Sequence, residues 1–304
     1  QIARNGCVLF DMKLYRCIID DKIITEKALK KGVCAGHRLV DHNPEPEKVL
    51  KVAVAIPTEG HTLPEAYDNH LINAMRLGGY QERWRYEKRN PRYEFSWFTA
   101  GRMLTQMARE KLVHVAIQAE MDFIVMYDDD MLLPPDMVLR LLEDMEAHPE
   151  IDILAPLAFM RSAPHYAVLY NVKEGYDPVR KTDYYINHWV MDYPRNKLVE
   201  CDAVGFGAVC IRMSMVKKMK TPYFMSTTGT GEDIFFCHNA KKQTNARIFM
   251  DTRIKLGHLG DPILIDDIYA DQYRKRHKVE MPKLKYKYAI DESDVTNDLN
   301  ALER

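Results

Sequence analysis

Short, mainly apolar runs alternate along this chain with longer segments in which apolar residues recur every three or four positions. The apolar runs are typical of strands buried in a parallel sheet, and they lie at 52–56, 123–126 and 151–155. The periodic segments predict amphipathic helices, and they lie at 64–77 (ended by Gly78-Gly79), 101–120 and 135–147. This succession of strands and helices predicts an α/β domain whose mostly parallel sheet is flanked by helices.

The pattern changes on both sides of this domain, whose predicted bounds are 51–270. Residues 1–50 carry short apolar runs among many charges and end in a polar, proline-containing linker, so we expect a small N-terminal appended module there. Residues 271–304 are rich in charge and are expected to form a C-terminal extension. Inside the domain, residues 160–200 are irregular and rich in Tyr, His and Pro, which predicts a long loop or a small antiparallel insertion.

Three consecutive carboxylates, those of Asp128, Asp129 and Asp130, follow the second buried strand directly. They repel one another unless a positive charge lies among them, and ligands of open α/β sheets bind at the carboxyl ends of strands. Mg²⁺ and Mn²⁺ are typically held by one or two carboxylates together with substrate phosphates. The sequence therefore predicts a divalent metal site here. The alternative is a solvated acidic turn before the helix that begins near Pro135.

Three further features follow the acidic cluster in a fixed order: the glycine-containing strand 205–207, the segment Gly231-Glu232-Asp233, and a late His258. Together with the acidic cluster, these features stand in the order found in the GT-A fold glycosyltransferases. In this respect the chain resembles those enzymes, in particular the inverting enzymes of the family 2 type. The resemblance covers residues 51–262. It implies a GT-A fold and the transfer of a sugar from a nucleotide-diphosphate sugar, which we expect to be a UDP-sugar, to an acceptor hydroxyl.

The resemblance also implies roles for individual residues. Asp128 and Asp130 would serve the metal and the nucleotide, with Asp129 between them in the nucleotide-sugar site, and His258 would complete the shell of a Mn²⁺ or Mg²⁺ ion. Asp233 would be the catalytic base, and Glu232 would help to bind the acceptor.

The remaining implied residues belong to the donor site. Gly205 and Gly207 would let the backbone approach donor and acceptor sugars, and Arg109 would contact the nucleotide. Family members often have Asn after this arginine, whereas this chain has Glu110. The segment that holds the nucleotide base would be the end of the first strand, at Pro57, Thr58 and Glu59.

The chemistry of glycosyl transfer needs these residue types. The transition state resembles an oxocarbenium ion, a bound metal stabilises the leaving diphosphate, and a carboxylate takes the proton of the acceptor hydroxyl. Glu232 and Asp233 begin a predicted helix, whose dipole favours the ionised form of the base. Each feature also has a structural interpretation: a β-bulge at the glycines, favourable first-turn acids, a core His258 and a solvated Arg109.

Composition and charge limit the other classes of function. The 304 residues are 46% apolar and 29% charged with a net charge of −1, so no global field attracts nucleic acid or a membrane. The sequence has no apolar run of about 18 residues that predicts a transmembrane helix. It has no continuous apolar core of a signal peptide either. We expect a cytoplasmic location, in a cell or in a phage-infected host.

Six cysteines are sparse for this length, and they predict free thiols in a reducing compartment rather than a disulfide framework. The alternative is a Zn²⁺ site in the N-terminal module. Cys34 and His37 have the spacing of a ligand pair, and the other candidate ligands are Cys7 and Cys17.

The acceptor is predicted to be either a hydroxymethylated base in DNA or a glycan. Basic and aromatic residues are interleaved at 80–93 and again at 273–287, which suits contact with phosphates and bases. Transfer to a base would require its extrusion from the stack, and soluble phage transferases with this activity resemble family 2. The alternatives are a solvated surface at both stretches, a metal-dependent nucleotidyltransferase, and a non-enzymatic nucleic-acid-binding protein. The nucleotidyltransferase needs a basic phosphate-binding loop, and residues 57–62 contain no Lys or Arg.

Overall fold

The computed structural model describes residues 14–17, 22–25, 39–41, 48–58, 62–86, 91–177, 182–227, 230–260, 263–279 and 288–290. The chain divides into two compact units, residues 1–48 and 49–304. The first unit contains three short antiparallel strands, β1 (Leu14–Cys17), β2 (Lys22–Thr25) and β3 (Leu39–Asp41), in the order β2–β1–β3.

The zinc hypothesis falls on side chains that lie outside the described residues. Cys7, Cys34 and His37 are not described at all, and of Cys17 only the backbone in β1 is described. A zinc site in the first unit therefore stays a prediction.

The second unit is built on an eight-stranded sheet. Its strands are β4 (Leu50–Thr58), β5 (Tyr93–Gly101), β6 (Phe123–Tyr127), β8 (Ile153–Leu157), β11 (Leu198–Cys201), β13 (Ala208–Arg212), β14 (Ile248–Lys255) and β17 (Tyr288–Ile290). The order across the sheet is β17–β11–β14–β8–β13–β6–β4–β5. Of these eight described strands, β11 and β13 run against the other six. The prediction of a mostly parallel α/β sheet is confirmed.

Helices flank this sheet as predicted. They are α1 (Pro64–Tyr86), α2 (Thr105–Gln118), α3 (Met137–Ala147), α4 (Met213–Val216), α5 (Glu232–Thr244) and α6 (Asp267–Arg276). Within the described residues, no helix is long and apolar enough to cross a membrane.

The predicted end of the first helix at Gly78-Gly79 is wrong, because α1 continues through both glycines to Tyr86. Each glycine costs the helix about 1 kcal/mol relative to alanine. Tertiary packing offsets this cost: Leu77 and Gln81 are buried on either side of the glycines. The edge strand β5, which the sequence did not predict, follows this helix.

Two small sheets lie beside the main one. The irregular stretch contains β9 (Leu169–Asp177) and β10 (Thr182–Trp189), which form an antiparallel sheet with β12 (Ala203–Val204) in the order β10–β9–β12. The second small sheet joins β7 (Met131–Leu132), β15 (Gly257–Gly260) and β16 (Ile263–Ile265) in the order β16–β15–β7. The irregular stretch is thus an antiparallel insertion. The predicted C-terminal extension supplies α6 and the edge strand β17.

An aromatic cluster anchors α5 to the turn before β13 and to the segment after α4. The ring of Phe236 in α5 stacks on Phe224 with a centroid distance of 4.7 Å and meets Phe206 edge-on at 5.5 Å. All three rings are buried. Because α5 begins at Glu232 and Asp233, this cluster fixes the position of both carboxylates.

Phe236→Ala should therefore lower the free energy of unfolding by about 3–5 kcal/mol, since it leaves a cavity beside the rings of Phe206 and Phe224. Chemical denaturation measures the change. Met75→Ala, at an exposed position of α1, is the control and should change the value by less than about 0.5 kcal/mol. Equal losses in the two variants would contradict the packing described here.

Candidate active site

The acidic cluster lies at the carboxyl end of β6, where the sequence places it. The amide of Asp128 donates to the carbonyl of Gly207 at 2.9 Å, so the turn is tied to the strand β13 that follows Gly207. A pocket of about 340 Å³ opens at this edge of the sheet. Its lining includes the three carboxylates and, around them, Pro57, Thr58, Leu63, Met103, Thr105, Ala108, Arg161 and Leu259.

The end of β4 forms one wall of this pocket. Pro57 and Thr58 both line it, and the Thr58 hydroxyl donates to the carboxylate of Asp129. This contact holds the middle aspartate toward β4. Glu59, predicted with these two residues, lies outside the described residues.

His258 lies next to the acidic cluster because β15 pairs with β7, and in that register His258 is opposite Met131. Its Nε2 lies 3.2 Å from Oδ2 of Asp130, and its Nδ1 lies 2.8 Å from the Phe159 carbonyl. Burial lowers the pKa of His258, but the hydrogen bond with Asp130 and the charge of Asp130 outweigh it and raise the pKa overall. The backbone carbonyl fixes the ring so that Nε2 faces the carboxylate.

Arg161 is a site residue that the sequence did not predict. Its exposed guanidinium lines the pocket, 3.4 Å from Asp130 Oδ2. Burial alone raises the pKa of Asp130, but His258 and Arg161 together bring it below its ordinary value. Arg161 lies shortly after the carboxyl end of the buried strand β8, and this position was the only feature of the sequence that could have predicted a role in the site. Because the stretch that contains Arg161 has no regular pattern of apolar residues, the sequence analysis did not single it out.

Arg109 lies beneath the pocket, with only 3% of its side chain exposed. Its guanidinium donates to Asp128 Oδ1 and to Glu232 Oε1, each at 2.6 Å, and to the Phe206 carbonyl at 3.1 Å. Arg109 is therefore buried and ion-paired with two carboxylates, and its contact with a nucleotide stays a prediction. The alternative of a solvated helix residue is wrong, because the side chain is buried.

Glu232 and Asp233 form the first turn of α5, as predicted. One oxygen of Asp233 accepts from the Ile234 amide at 2.7 Å, and the Phe206 backbone also bonds to this carboxylate. Burial raises the pKa of Asp233, the charge of Arg109 lowers it, and the net direction is upward. The expected effect of the helix dipole, which favours ionisation, is thus outweighed by burial.

The pKa of Asp128 depends on the same two opposing effects, burial and the charge of Arg109. Burial raises its pKa to about 6 against the opposing charge of Arg109. Its side chain keeps 31% of its surface exposed, so solvent screens part of this effect. Both carboxylates therefore titrate above the ordinary range of aspartate.

At the two predicted glycines, the structure shows close packing of the protein. A Cβ at Gly205 would lie 2.7 Å from Cβ of Val168, and a Cβ at Gly207 would lie 3.1 Å from Cε of Met131. Gly205 therefore lets the segment at Val168 approach closely, whereas a side chain at Gly207 would require the flexible end of Met131 to shift by a few tenths of an ångström. Contact with a sugar at Gly205 or Gly207 stays a prediction.

The donor set at Asp130 and His258 fits a divalent metal in its chemistry. A carboxylate oxygen and an imidazole nitrogen suit Mn²⁺, and a carboxylate suits Mg²⁺. Within the described residues, no three His, Cys, Asp or Glu side chains are grouped for metal binding. The remaining ligands of an ion would have to be phosphate oxygens and water. Since Asp128 Oδ1 is bonded to Arg109, a metal role for Asp128 stays a prediction.

The two basic stretches are only partly described. In the second, Arg274 is buried and donates to Asp271 and to the His165 carbonyl, so it does not present its charge to solvent. Lys275 and Arg276 beside it are exposed. The side chains of residues 84–90 and all of residues 280–287 lie outside the described part, and the DNA-binding hypothesis for them stays a prediction.

No protein-family model matches the chain, and no curated protein does. Among solved structures, the chain is similar to A197 from STIV, with 14% identity, a TM-score of 0.49, and coverage of 79% of this chain and 100% of that chain. It is similar to S. aureus TarS 1-349, with 14% identity, a TM-score of 0.36, and coverage of 66% and 58%. It is also similar to apo-UDP-glucose pyrophosphorylase, with 8% identity, a TM-score of 0.40, and coverage of 76% and 99%. Likenesses this low carry no argument about function.

Arg109→Met should lower the free energy of unfolding by about 3 kcal/mol, because it leaves Asp128 and Glu232 partly buried without their cation. Denaturant titration at neutral pH measures the loss. Lys111→Ala, at an exposed position of the same helix, is the control and should have little effect. An Arg109→Met variant as stable as the parent protein would show that the guanidinium does not organise the site.

Proposed function

We propose that this protein is a metal-dependent, inverting glycosyltransferase that moves a sugar from a nucleotide-diphosphate sugar, with UDP-sugar as the expected donor, to an acceptor hydroxyl. One observation carries the proposal: a single network runs from a pocket suited to a diphosphate to Glu232, whose neighbour in the chain is a half-buried carboxylate suited to act as a base. Asp128 lines the pocket, and Arg109 links it to Glu232, the residue next to Asp233.

The pocket supports the donor half of the reaction. Asp130 and His258 would hold the divalent ion, which when bound neutralises charge on the leaving diphosphate. Arg161 lies on the same pocket wall, where an exposed guanidinium suits phosphate oxygens. Pro57 and Thr58 line the pocket beside Asp129 and would contact the nucleoside.

Asp233 supports the acceptor half. In the proposed step its carboxylate takes the proton of the acceptor hydroxyl, and that oxygen bonds to the anomeric carbon as the bond from this carbon to the phosphate oxygen breaks. The bonding electrons leave with the nucleoside diphosphate. A single base acting opposite the leaving group inverts the anomeric configuration. The Ile234 amide and the Phe206 backbone hold this carboxylate in place.

Two variants should separate the halves of the site. Asp233→Asn should reduce transfer by a factor of about 10²–10⁴ and leave metal-dependent nucleotide binding intact, because the amide cannot accept the proton. Asp130→Asn should weaken that nucleotide binding itself, since it removes a charged ligand. Calorimetry and a transfer assay measure the two effects. Asp68→Asn, at an exposed position of α1, is the control. Loss of nucleotide binding in Asp233→Asn, or full activity in it, would count against the assignment.

As the pH is lowered, the rate of transfer should begin to fall above the range in which an ordinary aspartate titrates. Burial raises the pKa of Asp128 to about 6 and raises the pKa of Asp233. Both carboxylates therefore become protonated, and Asp233 loses its capacity as a base, at a higher pH than ordinary aspartates of pKa about 3.9. A profile of kcat/KM against pH measures this. A profile that stays flat to about pH 4.5 would contradict the raised pKa values.

The released product distinguishes the reactions that such a site supports. A glycosyltransferase releases a nucleoside diphosphate, whereas a nucleotidyltransferase with the same carboxylates and metal releases pyrophosphate. A non-enzymatic nucleic-acid-binding protein would release neither and would bind DNA with a strong dependence on salt. The acceptor classes in question are a hydroxymethylated base in DNA and a glycan.

A further inference from the structure

Three aromatic side chains contact one another at the small antiparallel sheet: Tyr170 of β9, Trp189 of β10, and Tyr166 in the segment before β9, called here the aromatic wall. Trp189 lies directly across from Tyr170 in the register of β10 and β9, with a centroid distance of 5.7 Å. Tyr166 lies 5.4 Å from the same indole. All three residues are half-buried, and the indole nitrogen of Trp189 is shielded from solvent. Part of the surface of each residue is therefore accessible to a ligand.

The aromatic wall adjoins the proposed base. Tyr170 pairs with Ala203 of β12, and the chain then runs through Gly205 to Phe206, whose backbone bonds to the carboxylate of Asp233. Burial raises the pKa of Tyr170, and the charge of Asp233 raises it further. The Tyr170 hydroxyl and the Asp233 carboxylate thus lie within electrostatic range of each other. A ligand on the aromatic wall would have its polar groups near the base.

The side-chain amide of Asn187 on the same sheet has no partner for its oxygen among the described residues. Side chains alternate along a strand, so Asn187 lies on the same face of β10 as Trp189. Its Oδ1 is shielded from solvent, and no described residue donates to it. A buried oxygen without a donor is unfavourable, because it has lost its hydrogen bonds to water. A hydroxyl of a bound ligand would satisfy it.

The charges around the aromatic wall do not suit a polyanion. Asp202, whose amide bonds to the Tyr170 carbonyl, is ion-paired with Lys241, and Asp233 adds negative charge. DNA binding requires cations that neutralise phosphates. The described side chains on this face include no Lys or Arg, and they are those of Tyr170, Val172, Asn187, Trp189 and Ala203.

We propose that the aromatic wall binds the acceptor and that the acceptor is an uncharged saccharide, which stacks one face of a sugar ring on Trp189 and directs a hydroxyl to Asp233. Aromatic rings pack against the apolar C–H face of a sugar, and amide groups bond to its hydroxyls. This inference rests on the proposed function, since it assigns the acceptor of that reaction.

Fluorine NMR of the full chain labelled with 5-fluorotryptophan tests binding directly. The chain has three tryptophans, and Trp189→Phe assigns the Trp189 signal. The probes are methyl glycosides of glucose, galactose, mannose and N-acetylglucosamine, added in the presence of UDP and Mg²⁺. At least one glycoside should shift the Trp189 signal saturably. The signal of Trp97, which is partly exposed on the edge strand β5, should not move. A Trp189 signal that no glycoside moves, or that only a hydroxymethylated oligonucleotide moves, would overturn the inference.

Kinetics give a second, independent test. Trp189→Ala should raise the KM for the saccharide acceptor by about tenfold, leave the KM for the donor unchanged, and be partly rescued by Trp189→Phe. Trp97→Ala is the matched control and should change neither constant. An acceptor KM that stays the same in Trp189→Ala would refute the inference.

Failure of the inference and failure of the proposed function give different results. If the parent protein bound no nucleoside diphosphate with either metal, the proposed function would fail. If it bound one and transferred sugar, but Trp189 responded to no saccharide, the inference alone would fail.

Discussion

The buried guanidinium of Arg109 is the interaction on which the rest of the site depends. It joins three chain segments that are far apart in sequence: the acidic turn after β6, the glycine segment at Phe206, and the start of α5. A cation with 3% exposure is stable only when its charge is matched, and Asp128 and Glu232 match it. The carboxylates in turn remain close together because the cation lies between them.

This arrangement places the two halves of the proposed reaction on either side of one cation. On one side lies the pocket with Asp130 and Arg161, where three carboxylates and one exposed guanidinium surround the space and His258 lies next to Asp130. On the other side lies Asp233, bonded to backbone groups and next to the half-buried aromatic wall. Donor and acceptor would therefore meet at the acidic turn.

The sequence predicted the parts of this structure that depend on local pattern. Buried strands and amphipathic helices follow directly from apolar periodicity, and the acidic turn follows from its place after β6. Features set by tertiary packing were not predictable from pattern: α1 continues through Gly78-Gly79, and β5 forms an edge. Arg109 was singled out by resemblance, but its burial between two carboxylates depends on segments more than a hundred residues apart. Arg161 was missed because its stretch has no regular period.

Calorimetric titration of the parent protein with UDP, GDP and CDP, in the presence of Mn²⁺ and again with chelator, tests the central claim most directly. The account predicts that one nucleotide, expected to be UDP, binds with Mn²⁺ and that chelator abolishes or strongly weakens the binding, because Asp130 and His258 would hold the ion that the diphosphate shares. Binding of no nucleotide under either condition would contradict the account. Binding that chelator leaves unchanged would contradict the role of the metal.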